Sequence, residues 1–80
     1  MDATQIIKLA EAYSAHTALK LSTIGAYAVN DGKFFPRLSD GGECTLRTAK
    51  RVLSWFSTNW PDDLEWPRDI QRPVKRREVA

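Results

Sequence analysis

The chain has 80 residues, of which 42% are hydrophobic and 28% charged. This length allows one domain at most, and the composition is that of an ordinary folded domain rather than a disordered chain. Twelve Lys and Arg against ten Asp and Glu give a formal net charge of +2, which by itself is weak evidence for any partner. The single cysteine, Cys44, excludes an internal disulfide bond and a multi-cysteine zinc site, and suits a reducing compartment. A large catalytic domain is therefore excluded, and a small binding module is the default expectation.

The sequence contains no segment that predicts a membrane span or export. No apolar run approaches ~18 residues, the length a spanning helix needs. Asp2 stands near the N-terminus, where a signal peptide carries basic residues. We therefore expect no membrane association and a cytoplasmic protein.

Residues 3–16 hold the best helical pattern of the chain. Apolar side chains recur at helical spacing and predict one buried face, formed by Ile6, Leu9, Ala10 and Tyr13. The pattern breaks softly at Thr17, Ala18 and Leu19. A second, shorter helix then begins between Lys20 and Ser22 and ends near Val29. Its predicted inward residues are Ile24, Tyr27 and Ala28.

Two turn signals divide the next part of the chain. Asn30-Asp31-Gly32 predicts a turn, after which Asp31 can cap a brief helical segment over 33–38 with Pro36 in its first turn. Residues 39–42, Ser-Asp-Gly-Gly, form a stronger break. A second long amphipathic helix follows over 45–59, with Thr45 as its N-cap and an inward face of Leu46, Ala49, Val52 or Leu53, and Phe56.

The C-terminal part differs in composition. It holds three of the four prolines, no glycine and a final charged run. We expect residues 61–67 to be extended, with a tryptophan packed back on the core, and residues 68–80 to be mobile. The predicted protein is thus an all-α bundle of four to five helices over 1–60, followed by a Trp- and Pro-containing extension with a basic tail over 61–80.

The stretch AEAYSAHTALKLSTIGAYA, residues 10–28, carries the functional signal. An amphipathic helix ends, three residues turn, and a second helix begins with Leu-Ser-Thr-Ile. This spacing resembles the helix-turn-helix of Lac-repressor-type and related bacterial DNA-binding regulators, in which the second helix enters the major groove. The chain departs from that pattern at Ala18, where glycine is usual, and at Thr17, where an apolar residue is usual. A left-handed turn at Ala18 costs roughly 1 kcal/mol relative to glycine.

A second alignment gives the same function with a different reading helix. Residues 22–55 also resemble the lambda-repressor-like pattern of phage regulators. In that frame 22–29 is the supporting helix, 32–38 reads the DNA, and 40–42 form the loop before the next helix. Pro36 inside the reading helix disfavours this frame, because it removes a backbone donor. We therefore favour residues 20–29 as the recognition helix.

Basic residues are concentrated in the middle of the chain. Residues 17–58 contain six basic and three acidic side chains, hence +3, and such side chains gain affinity for a duplex by releasing its counterions. Residues 61–70 carry −3 and should face away from phosphate. In the favoured frame the predicted DNA contacts are Lys20, Ser22, Thr23, Gly25, Ala26, Lys33, Arg37, Lys50 and Arg51.

The aromatic C-terminal half predicts an interface, because so small a domain cannot easily bury all its large rings. We expect Trp55, Trp60 and Trp66 to contribute to a homodimer or to a protein partner. The same tryptophans define the alternative function: a protein-interaction adaptor or anti-defence factor that docks on another protein.

No pattern predicts catalysis, a metal or a cofactor. His16 has no second histidine or nearby cysteine, and Cys44 lacks the histidine that activates a nucleophile. Asp62, Asp63 and Glu65 lie between Trp and Pro residues and are expected to form a solvated acidic patch. The chain is thus predicted to be a non-enzymatic regulator that binds double-stranded DNA in a sequence-specific manner.

Overall fold

The computed structural model describes residues 3–72 and contains four helices in that range. They are α1 (Ala3–Thr17), α2 (Leu21–Val29), α3 (Phe34–Ser39) and α4 (Leu46–Asn59). No strand occurs between residues 3 and 72, so the all-α prediction is confirmed for this part. α2 packs against each of the other three helices, and α1 packs against α3 and α4. α2 is therefore in contact with all three of the other helices.

The inward face predicted for α1 is confirmed. Ile6, Leu9, Ala10 and Tyr13 are all buried. The Tyr13 ring lies edge-on to Phe56 of α4, with 5.5 Å between the ring centroids. Phe56 in turn contacts Phe35 of α3 at 6.1 Å. A continuous aromatic core thus joins α1, α3 and α4.

The predicted boundaries of α4 are confirmed together with its cap. The Thr45 hydroxyl accepts a hydrogen bond from the Thr48 backbone N–H at 3.1 Å, which satisfies one of the orphan donors of the first turn. Ala49, Val52, Leu53 and Phe56 are buried as expected. Leu46 is 63% exposed, so its assignment to the inward face is wrong. It is the first residue of the helix and lies past the edge of the core.

Tyr27 is the second error in the predicted core, because it is 62% exposed. Ile24 and Ala28 are buried as predicted, but the third inward residue of α2 is Gly25. α2 can turn this glycine inward because the chain after the helix folds back over it. A Cβ at Gly25 would lie 2.6 Å from the Asp31 carbonyl oxygen, so only glycine fits there.

The segment after α4 packs on the helices further than expected. As predicted, a tryptophan of 61–67 returns to the core: the ring of Trp66 lies 5.0 Å from that of Trp60, centroid to centroid. Its indole N–H donates to the Ile70 carbonyl at 2.7 Å, and Ile70 itself is 3% exposed. The expectation of mobility from residue 68 onward is therefore wrong for 68–72. The predicted mobility of 73–80 concerns residues outside the described range.

Candidate nucleic-acid interface

The turn between α1 and α2 contains a residue in the left-handed conformation. Ala18 has φ +63°, a conformation that L-residues other than Asn and Asp rarely adopt. Three hydrogen bonds hold it there. The Ala18 N–H donates to the Ser14 carbonyl at 2.8 Å, the Thr17 hydroxyl donates to the Tyr13 carbonyl at 2.7 Å, and the Ser14 hydroxyl donates to the Leu19 carbonyl. The polar Thr17 and Ser14 side chains thus satisfy backbone acceptors at the end of α1.

One side of α2 is open to solvent. The side chains on this side are polar or small, apart from one aromatic ring. Ser22, Ala26, Tyr27 and Asn30 are exposed, and Thr23 is half-buried. Their positions fall on one arc of the helix, opposite Ile24, Gly25 and Ala28. The prediction that Gly25 faces a ligand is wrong, since that residue is buried against the 30–32 turn. This arc, called the α2 outer face below, carries no acidic side chain.

Two exposed lysines lie near the start of α2. Lys20 occupies the N-cap position in an extended conformation with no side-chain cap hydrogen bond, and it is exposed. Lys33 follows the turn after α2 and is also exposed. The chain leaves α2 through Asn30, whose φ of +56° places it in the left-handed region that asparagine tolerates. After Asn30 the chain folds back along α2, and a Cβ on Gly32 would lie 3.4 Å from the Ser22 carbonyl oxygen, so Lys33 is close to the same end of α2 as Lys20.

Arg37 of α3 is engaged by a carboxylate. Its guanidinium donates to Asp31 Oδ2 at 2.8 Å, while Asp31 Oδ1 accepts the Lys33 backbone N–H at 3.0 Å. The hydrogen bond from Arg37, followed by that from the Lys33 backbone, lowers the pKa of Asp31 below its ordinary value. Asp31 therefore orders the predicted turn, but its expected role as the cap of the next helix is wrong: α3 begins at Phe34, and Lys33 is its N-cap residue with no side-chain cap hydrogen bond. It also partly neutralises Arg37.

Basic side chains of α4 lie beyond the C-terminal end of α2. Lys50 and Arg51 are both exposed. Arg51 lines an open groove together with Val29 of α2, Arg37 of α3 and Glu43 of the loop before α4. The structure thus brings Arg51 and Arg37 to one groove. It places Lys50 on the solvent side of α4, outside the residues that line this groove.

The predicted aromatic interface is only partly on the surface. Trp60 is 6% exposed and packs against Tyr13, Phe56 and Trp66, so its assignment to an interface is wrong. Its indole N–H is satisfied by the Leu64 carbonyl at 2.7 Å. Trp55 and Trp66 are half-buried. The chain buries more aromatic surface than expected because the 60–72 segment covers one side of α4.

Two side-chain contacts join the acidic extension to α1, and one ion pair lies within the extension. His16 Nε2 lies 3.0 Å from Asp63 Oδ1, Lys8 Nζ lies 3.1 Å from Asp69, and Arg68 pairs with Glu65 at 3.2 Å. The hydrogen bond from Lys8 lowers the pKa of Asp69. Asp62, Asp63 and Glu65 are exposed, in agreement with a solvated acidic patch. Asp63 and Asp69 thus contact α1, whereas Glu65 is paired within the extension.

No candidate metal centre is present in residues 3–72. No three His, Cys, Asp or Glu side chains there are grouped so that they could hold a metal ion. Every buried side-chain nitrogen or oxygen in this range has a hydrogen-bond partner. Cys44 is half-buried in the loop before α4. Within the same residues, no helix combines the length and apolar character needed to cross a bilayer.

Comparisons with known proteins found no relative of this chain. No protein-family model matches the chain, and no curated protein or solved structure is significantly similar to it. The functional argument therefore rests on the residues and their geometry.

Proposed function

We propose that this protein is a small helix-turn-helix regulator that binds double-stranded DNA sequence-specifically, with α2 in the major groove. The observation that carries the proposal is the α2 outer face. It is polar or small over most of its length and free of acids, and the exposed Lys20 and Lys33 lie beside its start. The major groove is about 12 Å wide and admits an α-helix, and a helix face without acidic side chains avoids repulsion by the phosphates that line the groove.

The turn supports the same proposal. A helix-turn-helix needs a sharp, rigid connection, so that the second helix projects from the first at a fixed angle. Left-handed Ala18 and the Ser14 and Thr17 hydrogen bonds supply such a connection here. α2 also contacts the other three helices, and these contacts would fix its orientation in the groove.

The structural facts favour α2 over α3 as the reading helix. α3 has six residues, of which Phe34, Phe35 and Leu38 are buried, and its one basic side chain is paired with Asp31. The groove that contains Arg51 and Arg37 begins at the last residue of α2. In the proposed complex Lys20 and Lys33 hold the phosphate backbone near the start of α2 and Arg51 holds it near the end, with Lys50 of α4 as a further backbone contact.

Dimerisation on DNA belongs to this proposal, because palindromic half-sites suit two-fold dimers and single small modules give limited affinity. The half-buried Trp55 and Trp66 are the aromatic side chains that remain for such a contact. They are also what remains for the alternative, a protein-interaction adaptor. The burial of Trp60 removes part of the surface on which that alternative depends.

The decisive experiment measures binding to random-sequence duplex DNA by fluorescence anisotropy over a salt series. If four cations each neutralise one phosphate, the logarithm of the binding constant falls with the logarithm of salt with a slope of about −3 to −4. A flat salt dependence, or no binding at low salt, overturns the proposal and leaves the adaptor function. Light scattering on the same samples reports whether the bound species is a dimer.

Two substitutions identify the reading helix. Ser22→Glu places a negative charge on the α2 outer face and should weaken binding tenfold or more. Arg37→Ala should have a small effect, because Arg37 is already paired. Thr4→Glu is the matched control, since Thr4 and Ser22 are both the exposed second residue of a helix, where glutamate is compatible with the helix dipole. A larger loss with Arg37→Ala than with Ser22→Glu assigns the reading role to α3.

A further inference from the structure

Tyr27 is the side chain of the α2 outer face for which the protein's own packing offers no explanation. It is 62% exposed, whereas Tyr13, the other tyrosine, is 8% exposed and contacts three aromatic rings. Within residues 3–72, only Tyr27 and Leu46 are large hydrophobic residues with this degree of exposure. No aromatic contact or side-chain hydrogen bond of Tyr27 occurs among the described residues. An aromatic ring left in water, with its hydroxyl unpaired by protein, is suited to a contact made on binding.

The neighbours of Tyr27 make it the most prominent side chain of the face. Ala26 precedes it, Thr23 lies one turn before it, and Asn30 lies one turn after it. These side chains are shorter than a tyrosine, and neighbours three and four residues apart lie side by side on a helix. The ring therefore projects beyond its surroundings. It would reach deepest into any surface on which α2 docks.

The residue types of the α2 outer face leave few ways to distinguish bases. Specific major-groove contacts are most often made by Arg, Lys, Asn or Gln, and none of these occurs between residues 21 and 29. On the α2 outer face only Asn30, the C-cap residue, is of this kind. A tyrosine supplies two other contacts. Its ring packs against the C5-methyl group of thymine, and its hydroxyl donates to a base acceptor such as guanine or adenine N7.

We infer that Tyr27 is a specificity-determining residue of the α2 outer face, which reads a base pair in the major groove through its ring and hydroxyl. This inference rests on the proposed DNA binding. It adds that discrimination between sequences comes from an uncharged side chain, while the lysines and arginines supply affinity for any duplex. The two contributions are separable because only the second depends on counterion release.

The test begins with selection of preferred duplexes by the full chain from a random library. Affinities of the wild-type and variant chains are then measured for a selected duplex and for a scrambled one, over a salt series. Tyr27→Ala should weaken binding to the selected duplex about tenfold or more. It should leave scrambled-duplex affinity and the salt slope unchanged. Tyr27→Phe, which keeps the ring and loses the hydroxyl, should lie between wild type and Tyr27→Ala.

Leu46→Ala provides the matched control, because Leu46 is equally exposed but lies on α4. It should leave both affinities unchanged. Tyr27→Ala is an exposed helical substitution to the best helix former, so circular dichroism should show an intact fold. Equal discrimination by Tyr27→Ala and wild type, or an equal loss on both duplexes, overturns the role of Tyr27 while DNA binding stands. Failure of the wild-type chain to bind any duplex overturns both proposals.

Discussion

At the residue scale, two positions show how backbone geometry selects or tolerates a residue type. Gly25 is required, because a Cβ would lie 2.6 Å from the Asp31 carbonyl oxygen. Ala18 is tolerated in spite of its φ of +63°, where a Cβ approaches the following carbonyl oxygen. The hydrogen bonds made by Ser14 and Thr17 compensate for this strain. Ala18 lies in the turn before α2 and Gly25 lies within α2, so the placement of the proposed reading helix depends on both.

Replacement of Ala18 by glycine should stabilise the protein. The left-handed conformation costs an L-residue about 1–2 kcal/mol, and glycine loses part of that gain through the greater freedom of its unfolded chain. We expect a net increase of about 1 kcal/mol in the free energy of unfolding, measured by urea denaturation. Ala15→Gly, the same change at an exposed site within α1, should instead lower it by about 0.5–1 kcal/mol. Destabilisation by Ala18→Gly would show that the turn is not strained.

At the element scale, the amphipathic pattern predicted the buried residues of the long helices α1 and α4 but not all of those of α2. α1 and α4 each have one apolar arc, so their buried residues could be predicted from spacing, apart from Leu46 at the start of α4. α2 is apolar or small almost all round, and spacing alone cannot choose between Tyr27 and Gly25 as the third inward residue. The choice is made by the 30–32 turn, which packs over Gly25 and leaves Tyr27 outside.

The N-cap of α4 provides a prediction at this scale. Thr45→Ala removes the side-chain acceptor for the Thr48 N–H and should lower the free energy of unfolding by about 1 kcal/mol. Thr58→Ala is the control: Thr58 is exposed near the end of the same helix, where alanine has the higher helix propensity. Thermal denaturation followed by circular dichroism compares the two variants. Equal melting temperatures would mean that the cap contributes nothing.

At the scale of the whole molecule, residues 60–72 complete a core that four short helices alone would leave open. Trp60 and Ile70 belong to the core and Trp66 packs against it, and the Arg72 guanidinium donates to the Ser57 carbonyl at 2.8 Å. Arg72 also lies 5.1 Å from the centre of the Trp66 ring, in the range of a cation–π contact. A chain of this length buries a limited share of its surface, so this added burial is a large part of its stability.

Loss of one anchor of this segment should therefore be costly. Ile70→Ala removes a side chain that is 3% exposed and should lower the free energy of unfolding by about 2–5 kcal/mol. The exposed neighbour Gln71 supplies the control, since Gln71→Ala should change stability by less than about 0.5 kcal/mol. Urea denaturation followed by tryptophan fluorescence measures both. A small effect of Ile70→Ala would mean that the segment is not part of the cooperative unit.

The sequence by itself determined the all-α class, the buried face of α1, the capped start of α4 and the turn at Asn30, because these depend on contacts within a few residues. The outward position of Tyr27, the burial of Gly25 and Trp60, the pairing of Arg37 with Asp31 and the docking of 68–72 depended on tertiary structure. Each of these features arises where two segments of the chain pack together, and no local sequence pattern encodes how those segments are placed. The candidate interface reflects both levels: α2 and its lysines were predictable from spacing and charge, whereas the face that α2 presents was decided by what packs against its other side.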